Sequence, residues 1–249
     1  MTAAHATGPS TPGFEKPGIF DPNSVCHVVF ERLLNQEVSR LNKTHTVLDI
    51  GCGSGIGRRS EPQEDIARQV GTLLGVEPDP EVEVPACFQK VWRSVLEDAD
   101  IPKSSVDLAY SFMVMEHVEN IDGYMKRLAD IMKPGGVYIG ATINAKCFFA
   151  RVARVTACLG IQEKVLTIAR GRREVEEYHY PAVYRMNTEP RLKALAAEHG
   201  FSRCEIFAVD SNEWFAYFPR PVRWCAHIIR AVFQRSQRNF PYLFIRLVK

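Results

Sequence analysis

The stretch that decides the fold covers residues 46–55 and reads Thr46-Val47-Leu48-Asp49-Ile50-Gly51-Cys52-Gly53-Ser54-Gly55. Its first half is short, apolar and rich in β-branched residues, which is typical of a buried strand. Its second half has glycine at alternate positions, so the strand enters a glycine-rich turn. Such a turn lets the backbone approach a ligand closely and directs helix N–H groups at it. The stretch therefore predicts a nucleotide-type site at the edge of a parallel sheet.

Further strands and helices alternate along the rest of the chain. Strands are predicted at 72–76, 87–92, 106–111, 137–142, 204–209 and 242–248. Helices are predicted after Asp21-Pro22, from Pro62, after Asn120, on both sides of Gly160 within 145–170, after Thr188 and around 221–235. Strands that alternate with helices indicate a largely parallel sheet covered on both faces. We therefore expect an α/β protein with a doubly wound, Rossmann-like sheet.

An acid at the end of the second predicted strand suggests what the turn binds. Glu77 follows Thr72–Val76 directly, and its carboxylate can accept hydrogen bonds from both hydroxyls of a ribose. The dinucleotide fingerprint G-x-G-x-x-G would require glycine at position 56, where this chain has Ile56. A hydride-transfer cofactor therefore fits poorly.

Four motifs in order resemble those of class I S-adenosylmethionine-dependent methyltransferases. They are 47–55, Leu74-Gly75-Val76-Glu77-Pro78-Asp79, 106–111 running into Met115-Glu116-His117-Val118, and 128–136 with its Lys-Pro-Gly-Gly turn. The segment 178–188 and the elements after it are also similar to one bacterial subgroup of methyltransferase-domain proteins. The resemblance implies a seven-stranded, mostly parallel sheet whose last strand, 242–248, is antiparallel.

The resemblance also implies roles for individual residues. Glycines 51, 53 and 55 would line the methionine and ribose parts of S-adenosylmethionine, Glu77 would hold the ribose, and Asp49 would fix the turn or reach the methionine ammonium. The full set of expected cofactor residues is Asp49, Gly51, Cys52, Gly53, Gly55, Glu77, Pro78, Leu96, Glu97, Ser111 and Met113. The expected acceptor residues are Glu116, Tyr178, Tyr180 and Tyr184.

The chain departs from the family pattern at its adenine contact and at residues 58–62, where Pro62 predicts that the helix after the glycine turn begins late. It also departs from the metal motif of some relatives. Many relatives read the adenine amine with an acid where this chain has Ser94 or Val95, so Leu96 and Glu97 are the alternative adenine contacts. Some quinone-pathway relatives bind a divalent metal with E-x-x-E-H, but Met113 replaces the first glutamate. We therefore expect no metal.

Two histidines are candidates for removing a proton from the acceptor. His117 follows the fourth predicted strand at the ligand-binding edge, and His179 lies in the aromatic segment Tyr178-His179-Tyr180. Each has an alternative role, as a helix-start histidine bonded to the backbone and as a packed loop histidine. An amine or thiolate acceptor would need neither.

Composition and cysteine usage set the broad class of protein. The chain has 249 residues, 46% of them hydrophobic and 24% charged, with a net charge of +2, which indicates a globular protein and no general nucleic-acid binder. Seven scattered cysteines without C-x-x-C indicate reduced thiols rather than zinc ligands or a disulfide framework. With no signal peptide or apolar span recognisable, we expect a cytoplasmic location.

The expected domain plan is a mobile arm at 1–20 and one methyltransferase domain at 21–249. Within it, 22–143 is the cofactor-binding core, 144–190 a helical and aromatic lid, and 191–249 the closing elements. Residues 214–249 hold seven Lys or Arg, nine aromatics and no acid. They either close the sheet with solvated arginines, or meet anionic lipid or a lipid-linked acceptor at a membrane surface, or stack on nucleic acid bases.

The expected function is methyl transfer from S-adenosylmethionine to a small-molecule, sugar or lipid-linked acceptor, on oxygen, nitrogen or carbon. One alternative is a protein or RNA methyltransferase. Another is a non-catalytic binding protein that keeps the fold, against which the intact glycine turn and Glu77 argue.

Overall fold

The protein is described by a computed structural model, which covers residues 25–53, 55–158, 160, 182–211, 213, 224–233 and 236–249. The expected arm at 1–20 lies outside the described residues. So does the part of the expected lid at 161–181, which contains Tyr178, His179 and Tyr180. All of 214–223 and residues 234–235 lie outside them as well, so the expected basic tail is described only in part.

The described residues form helices and strands in alternation over most of the chain. The helices are Cys26–Val38 (α1), Glu61–Gln69 (α2), Ile121–Ile131 (α3), Phe148–Cys158 (α4), Glu189–Glu198 (α5) and Trp224–Phe233 (α6). The strands are Thr46–Ile50 (β1), Thr72–Val76 (β2), Lys90–Trp92 (β3), Val106–Phe112 (β4), Met132–Ile143 (β5), Arg203–Val209 (β6) and Tyr242–Val248 (β7). Two 3-10 turns, Leu96–Asp98 and Gln237–Asn239, complete the list.

The seven strands form one sheet in the order β3-β2-β1-β4-β5-β7-β6. The strands from β3 to β5 are parallel to their neighbours, and β7 is antiparallel to both β5 and β6. The fold expectation, including the antiparallel last strand, is confirmed. Because the chain leaves β1 towards β2 on one side and returns at β4 on the other, a crevice opens above β1 at the carboxyl edge.

Two apolar layers, one on each face of the sheet, hold the helices in place. Successive residues of a strand point to opposite faces, and Val47 and Leu48 accordingly belong to different buried clusters. One cluster joins the sheet to α1 and α2, and the other joins it to α3 and α5. The sheet is thus covered on both faces, as predicted.

Several element boundaries follow directly from local chemistry. The Asn120 side chain accepts a hydrogen bond from Gly123 N at 3.0 Å and begins α3 as expected, whereas Thr188 makes no such bond at α5. Pro62 occupies the first turn of α2, which begins late, as predicted. β5 begins five residues before the predicted strand because Met132 already pairs with Val106.

One arginine of the tail is buried in the core. Arg246 on β7 is fully buried, and its Nε donates to Glu37 Oε1 on α1 at 2.9 Å while Nη1 lies 3.3 Å from Glu205 Oε2 on β6. A buried guanidinium requires such partners because desolvation of a charge is costly. The expectation of solvated arginines across 214–249 is therefore wrong at this position.

Candidate functional site

The glycine turn after β1 has a conformation that only glycine accommodates at two of its positions. Gly51 has a φ of 74°, and a Cβ there would lie 2.3 Å from Val114 Cγ2. Gly55 has a φ of 99°, and a Cβ there would lie 2.0 Å from the carbonyl oxygen of Arg59. The first contact brings the segment after β4 directly against the turn. The glycine turn and the segment after β4, where the acceptor is expected, therefore lie side by side along the crevice.

Glu77 is held against this turn at the end of β2. The side chain is 7% exposed, and its Oε2 accepts from Gly53 N at 2.8 Å while Oε1 accepts from Asp79 N at 3.1 Å. Each carboxylate oxygen can accept a second hydrogen bond. The two backbone donors fix the carboxylate and leave acceptor capacity for the paired hydroxyls of a ribose. The residues present fit the nucleoside that the sequence predicts.

Asp49 lies below the turn and is connected to it by the side chain of Gln63, a residue that was not predicted from the sequence. Gln63 Nε2 on α2 donates to Asp49 Oδ2 at 2.5 Å and to the carbonyl oxygen of Cys52 at 2.9 Å. Gln63 is fully buried and so links β1, the turn and α2. The feature of the sequence that could have indicated this role is the position of Gln63 in the helix after the turn, where a side-chain amide can hydrogen-bond to polar groups at the end of β1.

Burial changes the protonation of Asp49. The pKa of Asp49 is raised from its ordinary value of 3.8 to about 7, mainly by burial and also by the charge of nearby Glu77, while hydrogen bonds from Gln63 and Tyr110 act in the opposite direction. A positively charged ligand in the crevice would favour the ionised form. Asp49 can thus respond to the charge of what binds beside the turn.

The expected adenine contacts lie in the 3-10 turn after β3. Leu96 is buried, and Glu97 is half-buried with its pKa raised by that burial. Of the two positions where relatives carry an acid, Val95 presents an apolar side chain that is 45% exposed, and the Ser94 hydroxyl is buried. The assignment of Leu96 and Glu97 to adenine remains a prediction.

A buried polar network lies beside the carboxyl ends of β4 and β5, the part of the crevice where the acceptor is expected and which we call the acceptor end. Thr142 Oγ1 on β5 donates to Glu116 Oε2 at 2.7 Å, and Asn187 Nδ2 donates to Thr142 Oγ1 at 2.6 Å. The backbone carbonyl of Glu116 accepts from Val183 N at 2.8 Å and Tyr184 N at 3.1 Å. Glu116 therefore fastens the segment that precedes α5 to the ends of β4 and β5.

The charge of Glu116 depends on its surroundings. Burial raises the pKa of Glu116, while the neighbouring His117 and the hydroxyl of Thr142 act to lower it. His117 is half-buried next to it, and its backbone N donates to the carbonyl of Val114 at 2.9 Å. A carboxylate and an imidazole are thus adjacent at the carboxyl edge.

Apart from Leu96, Glu97 and His117, which are placed above, the predicted residues that fall within the described part of the chain divide into three groups. Gly51, Gly53, Gly55, Asp49, Glu77 and Pro78 lie around the glycine turn, and Met113, Glu116 and Tyr184 lie along the acceptor end. Cys52 and Ser111 are buried beneath the crevice, where the Ser111 hydroxyl pairs with the Tyr138 hydroxyl at 2.5 Å. His179, Tyr178 and Tyr180 lie outside the described residues. Thr142 and Asn187, like Gln63, were not predicted.

The fold and the turn together define a Rossmann-like protein with a nucleoside-binding crevice, and comparison with known sequences identifies its family. The family described as "Methyltransferase domain" matches residues 25–205. The match covers most of the chain, so the protein belongs to this methyltransferase-domain family.

Curated relatives are 27–30% identical to this chain within the regions that align. A "Ubiquinone biosynthesis O-methyltransferase" of Agrobacterium fabrum is 30% identical over 146 residues, which are 54% of this chain and 54% of that protein. The protein of the same name in Rhizobium etli is 30% identical over 177 residues, which are 68% of this chain and 66% of that protein. The chain thus spans about half to two thirds of the length of these relatives.

Solved structures of low sequence identity share the fold. A SAM-dependent methyltransferase of Archaeoglobus fulgidus aligns with a TM-score of 0.57 at 16% identity, over 90% of this chain and 94% of the other. The geranyl diphosphate C-methyltransferase of Streptomyces coelicolor, crystallised with S-adenosyl-L-homocysteine, aligns with a TM-score of 0.53 at 15% identity, over 87% and 76%. Among the residues described, no helix has both the length and the apolar character that crossing a membrane requires.

Proposed function

We propose that the protein transfers a methyl group from S-adenosylmethionine to a small-molecule acceptor. The observation that carries this proposal is the Glu77 carboxylate fixed at 2.8 Å from Gly53 N, which combines a ribose-binding acid and a glycine turn in one place. Family membership and relatives named as O-methyltransferases support methyl transfer. The relatives' printed name favours a hydroxyl acceptor over an amine.

The residues around the turn would bind and orient the cofactor. Glu77 would accept from the ribose hydroxyls, the amides of the turn would face its methionine part, and Leu96 with Glu97 would border the adenine. The bound sulfonium supplies an electrophilic methyl group with S-adenosylhomocysteine as the leaving group, so the acceptor oxygen forms a C–O bond as the S–CH₃ bond breaks. Asp49 would offset the positive charge of the cofactor.

The acceptor end would position the substrate and take its proton. We assign His117 as the proton acceptor, because it is half-buried at the carboxyl edge and an imidazole can accept a proton near neutral pH. Glu116 would position the wall formed by Val183 and Tyr184 through its backbone carbonyl. A second imidazole, His179, is retained as the alternative base, with Tyr178 and Tyr180 beside it in sequence.

We further propose peripheral contact of residues within 214–249 with a membrane, which suits a lipid-linked acceptor. This part of the proposal is supported by the basic and aromatic composition of the segment. The methyl-transfer proposal does not depend on it.

A methyl-transfer assay on fractionated cell extract tests the proposal. The full chain is incubated with extract and S-adenosylmethionine carrying a labelled methyl group, and label is then counted in lipid, small-molecule, protein and RNA fractions. We expect label in the lipid or small-molecule fraction. Gly53→Arg is the matched negative control, because a Cβ at Gly53 would already lie 3.3 Å from Glu77 Oε2. Label in protein or RNA would identify a macromolecular methyltransferase, and absence of cofactor binding by calorimetry would refute the proposal.

A further inference from the structure

We infer that α4 and α6 together form a docking face for an anionic lipid bilayer. This inference sharpens the peripheral membrane contact proposed above by naming the surface that makes it. We call it the α4–α6 face. Its members are Arg151, Arg154, Val155, Trp224, Ile228 and Val232.

The apolar part of this face is a stripe along α6. Trp224 is 61% exposed, Ile228 52% and Val232 55%. Residues spaced by four lie on one side of a helix, so the three side chains form a continuous exposed row. Single exposed apolar residues are ordinary on protein surfaces, but a row that includes tryptophan marks an interaction site.

The orientation of α6 is set by an ion pair on its inner side. Arg230 Nε lies 3.1 Å from Asp210 Oδ2, and the Asp210 side chain is 3% exposed. A buried carboxylate retains its charge only beside such a partner. Because Arg230 must point inward, the row of Trp224, Ile228 and Val232 must point outward. The helix thus presents its apolar side to the surroundings, the reverse of the usual arrangement on a globular protein.

Helix α4 contacts the end of α6 and adds exposed positive charge. The rings of Phe148 on α4 and Phe233 on α6 are 5.3 Å apart, so the two helices meet at these residues. Val155 is 58% exposed, and Arg151 and Arg154 are exposed on the same side of α4. Aliphatic and aromatic side chains with arginines beside them are the composition of an interfacial membrane helix.

The sequence around the face contains no acid. Neither residues 131–162 nor residues 214–249 contain Asp or Glu. A cleft of about 420 Å³ next to the start of α4 is lined by Lys146, Arg238 and Lys193, and the Lys193 ammonium is paired with the one acid of the lining, Glu189, at 2.7 Å. Asn239 Nδ2 donates to the carbonyl oxygen of Phe233 at 3.0 Å, which brings this cleft to the end of α6. The cleft can receive a phosphate headgroup beside the apolar row.

Charge complementarity selects the occupant. Anionic lipid attracts juxtaposed basic residues, while the apolar row enters the boundary between headgroups and acyl chains. A second copy of this chain would bring the same arginines against each other, and like charges in contact are unfavourable. The observations therefore favour a bilayer over self-association.

Vesicle flotation with matched variants tests the inference. The full chain is mixed with vesicles of phosphatidylcholine alone or with an equal part of phosphatidylglycerol, at low salt and at 0.5 M salt. We expect binding to the anionic vesicles only, and a loss at high salt because charges are screened.

Ile228→Ser should lower the bound fraction at least threefold, whereas Val28→Ser, which removes a 45% exposed side chain from α1, should not. Arg154→Glu should also lower the bound fraction. Its control is Lys126→Glu, which reverses the charge of an exposed residue on α3.

Two further measurements make the result decisive. Binding of S-adenosylhomocysteine to each variant reports on the fold and on the methyl-transfer site, so that failure of the docking inference and failure of the proposed function are distinguished. Equal binding of the parent chain to both kinds of vesicle, or to neither, would overturn the inference. So would a dimer in light scattering that Ile228→Ser abolishes, since the α4–α6 face would then belong to a second copy.

Discussion

Replacement of Glu77 by alanine should weaken binding of S-adenosylhomocysteine by about 5–150-fold. The carboxylate would accept from two ribose hydroxyls, and it also holds Gly53 N at 2.8 Å. Hydrogen bonds to a charged group contribute about 1.5–3 kcal/mol each, but water replaces part of what is lost at a crevice edge. A net loss of about 1–3 kcal/mol corresponds to that range in the dissociation constant.

The product is the better probe because it binds without turnover, and calorimetry measures its dissociation constant directly. Glu81→Ala is the matched control, since it removes an exposed carboxylate four residues away, whereas the carboxylate that accepts from Gly53 N and Asp79 N is that of Glu77. Its dissociation constant should equal that of the parent. Glu77→Gln should give an intermediate value, because one amide oxygen can replace only one of the acceptors facing Gly53 and Asp79. A folded Glu77→Ala variant whose dissociation constant lies within twofold of the parent would remove Glu77 from the cofactor site.

Three other predictions concern ionisable groups. The pKa of Asp49 is about 7 in the folded protein against an ordinary 3.8, so the free energy of unfolding of the parent falls as pH rises through this window. Asp49→Asn lacks this titration, so between pH 5 and pH 8 its free energy of unfolding, measured with urea, should gain about 2–3 kcal/mol relative to the parent. Equal pH dependence of the two chains would contradict the raised pKa. His117→Ala should lower turnover by about 10²–10⁴-fold with unchanged affinity for S-adenosylhomocysteine; normal turnover would indicate an acceptor that needs no base there. Glu37→Ala should lower the unfolding free energy by about 3 kcal/mol because it leaves the guanidinium of Arg246 underpaired; a melting temperature equal to that of the parent would show the pair to be neutral.

The donor side of the crevice was readable from sequence because its chemistry is local. The turn requires glycines where φ is positive, and Glu77 follows the adjacent strand, so both appear as short patterns at fixed spacing. The same holds for β7, whose observed bounds equal the predicted ones. Gln63 was missed because an isolated glutamine in a helix has no pattern of its own. Its role depends on the way α2 packs over β1.

The acceptor side was not readable in the same way because distant segments build it. Glu116, Thr142 and Asn187 are separated by 26 and 45 residues, and their hydrogen bonds appear only once β4, β5 and the segment before α5 are assembled. Each residue type alone is common at strand ends. The sequence therefore predicts the proposed donor site more readily than the proposed acceptor site, because short motifs mark the first and tertiary contacts assemble the second.

The structure shows that some of the positive charge of the tail is used in internal ion pairs. The seven basic residues of 214–249 suggested one basic surface, yet Arg246 neutralises Glu37 inside the core and Arg230 neutralises Asp210 under α6. These two pairs serve the fold, since they fasten β7 to α1 and fix the rotation of α6. Among the described residues, the outward charge near α6 comes from Arg238 of the tail and from Arg151 and Arg154 on α4, a helix far away in sequence. A truncation of the tail would consequently disturb folding and docking together, whereas Arg154→Glu changes the α4–α6 face and leaves both internal pairs intact.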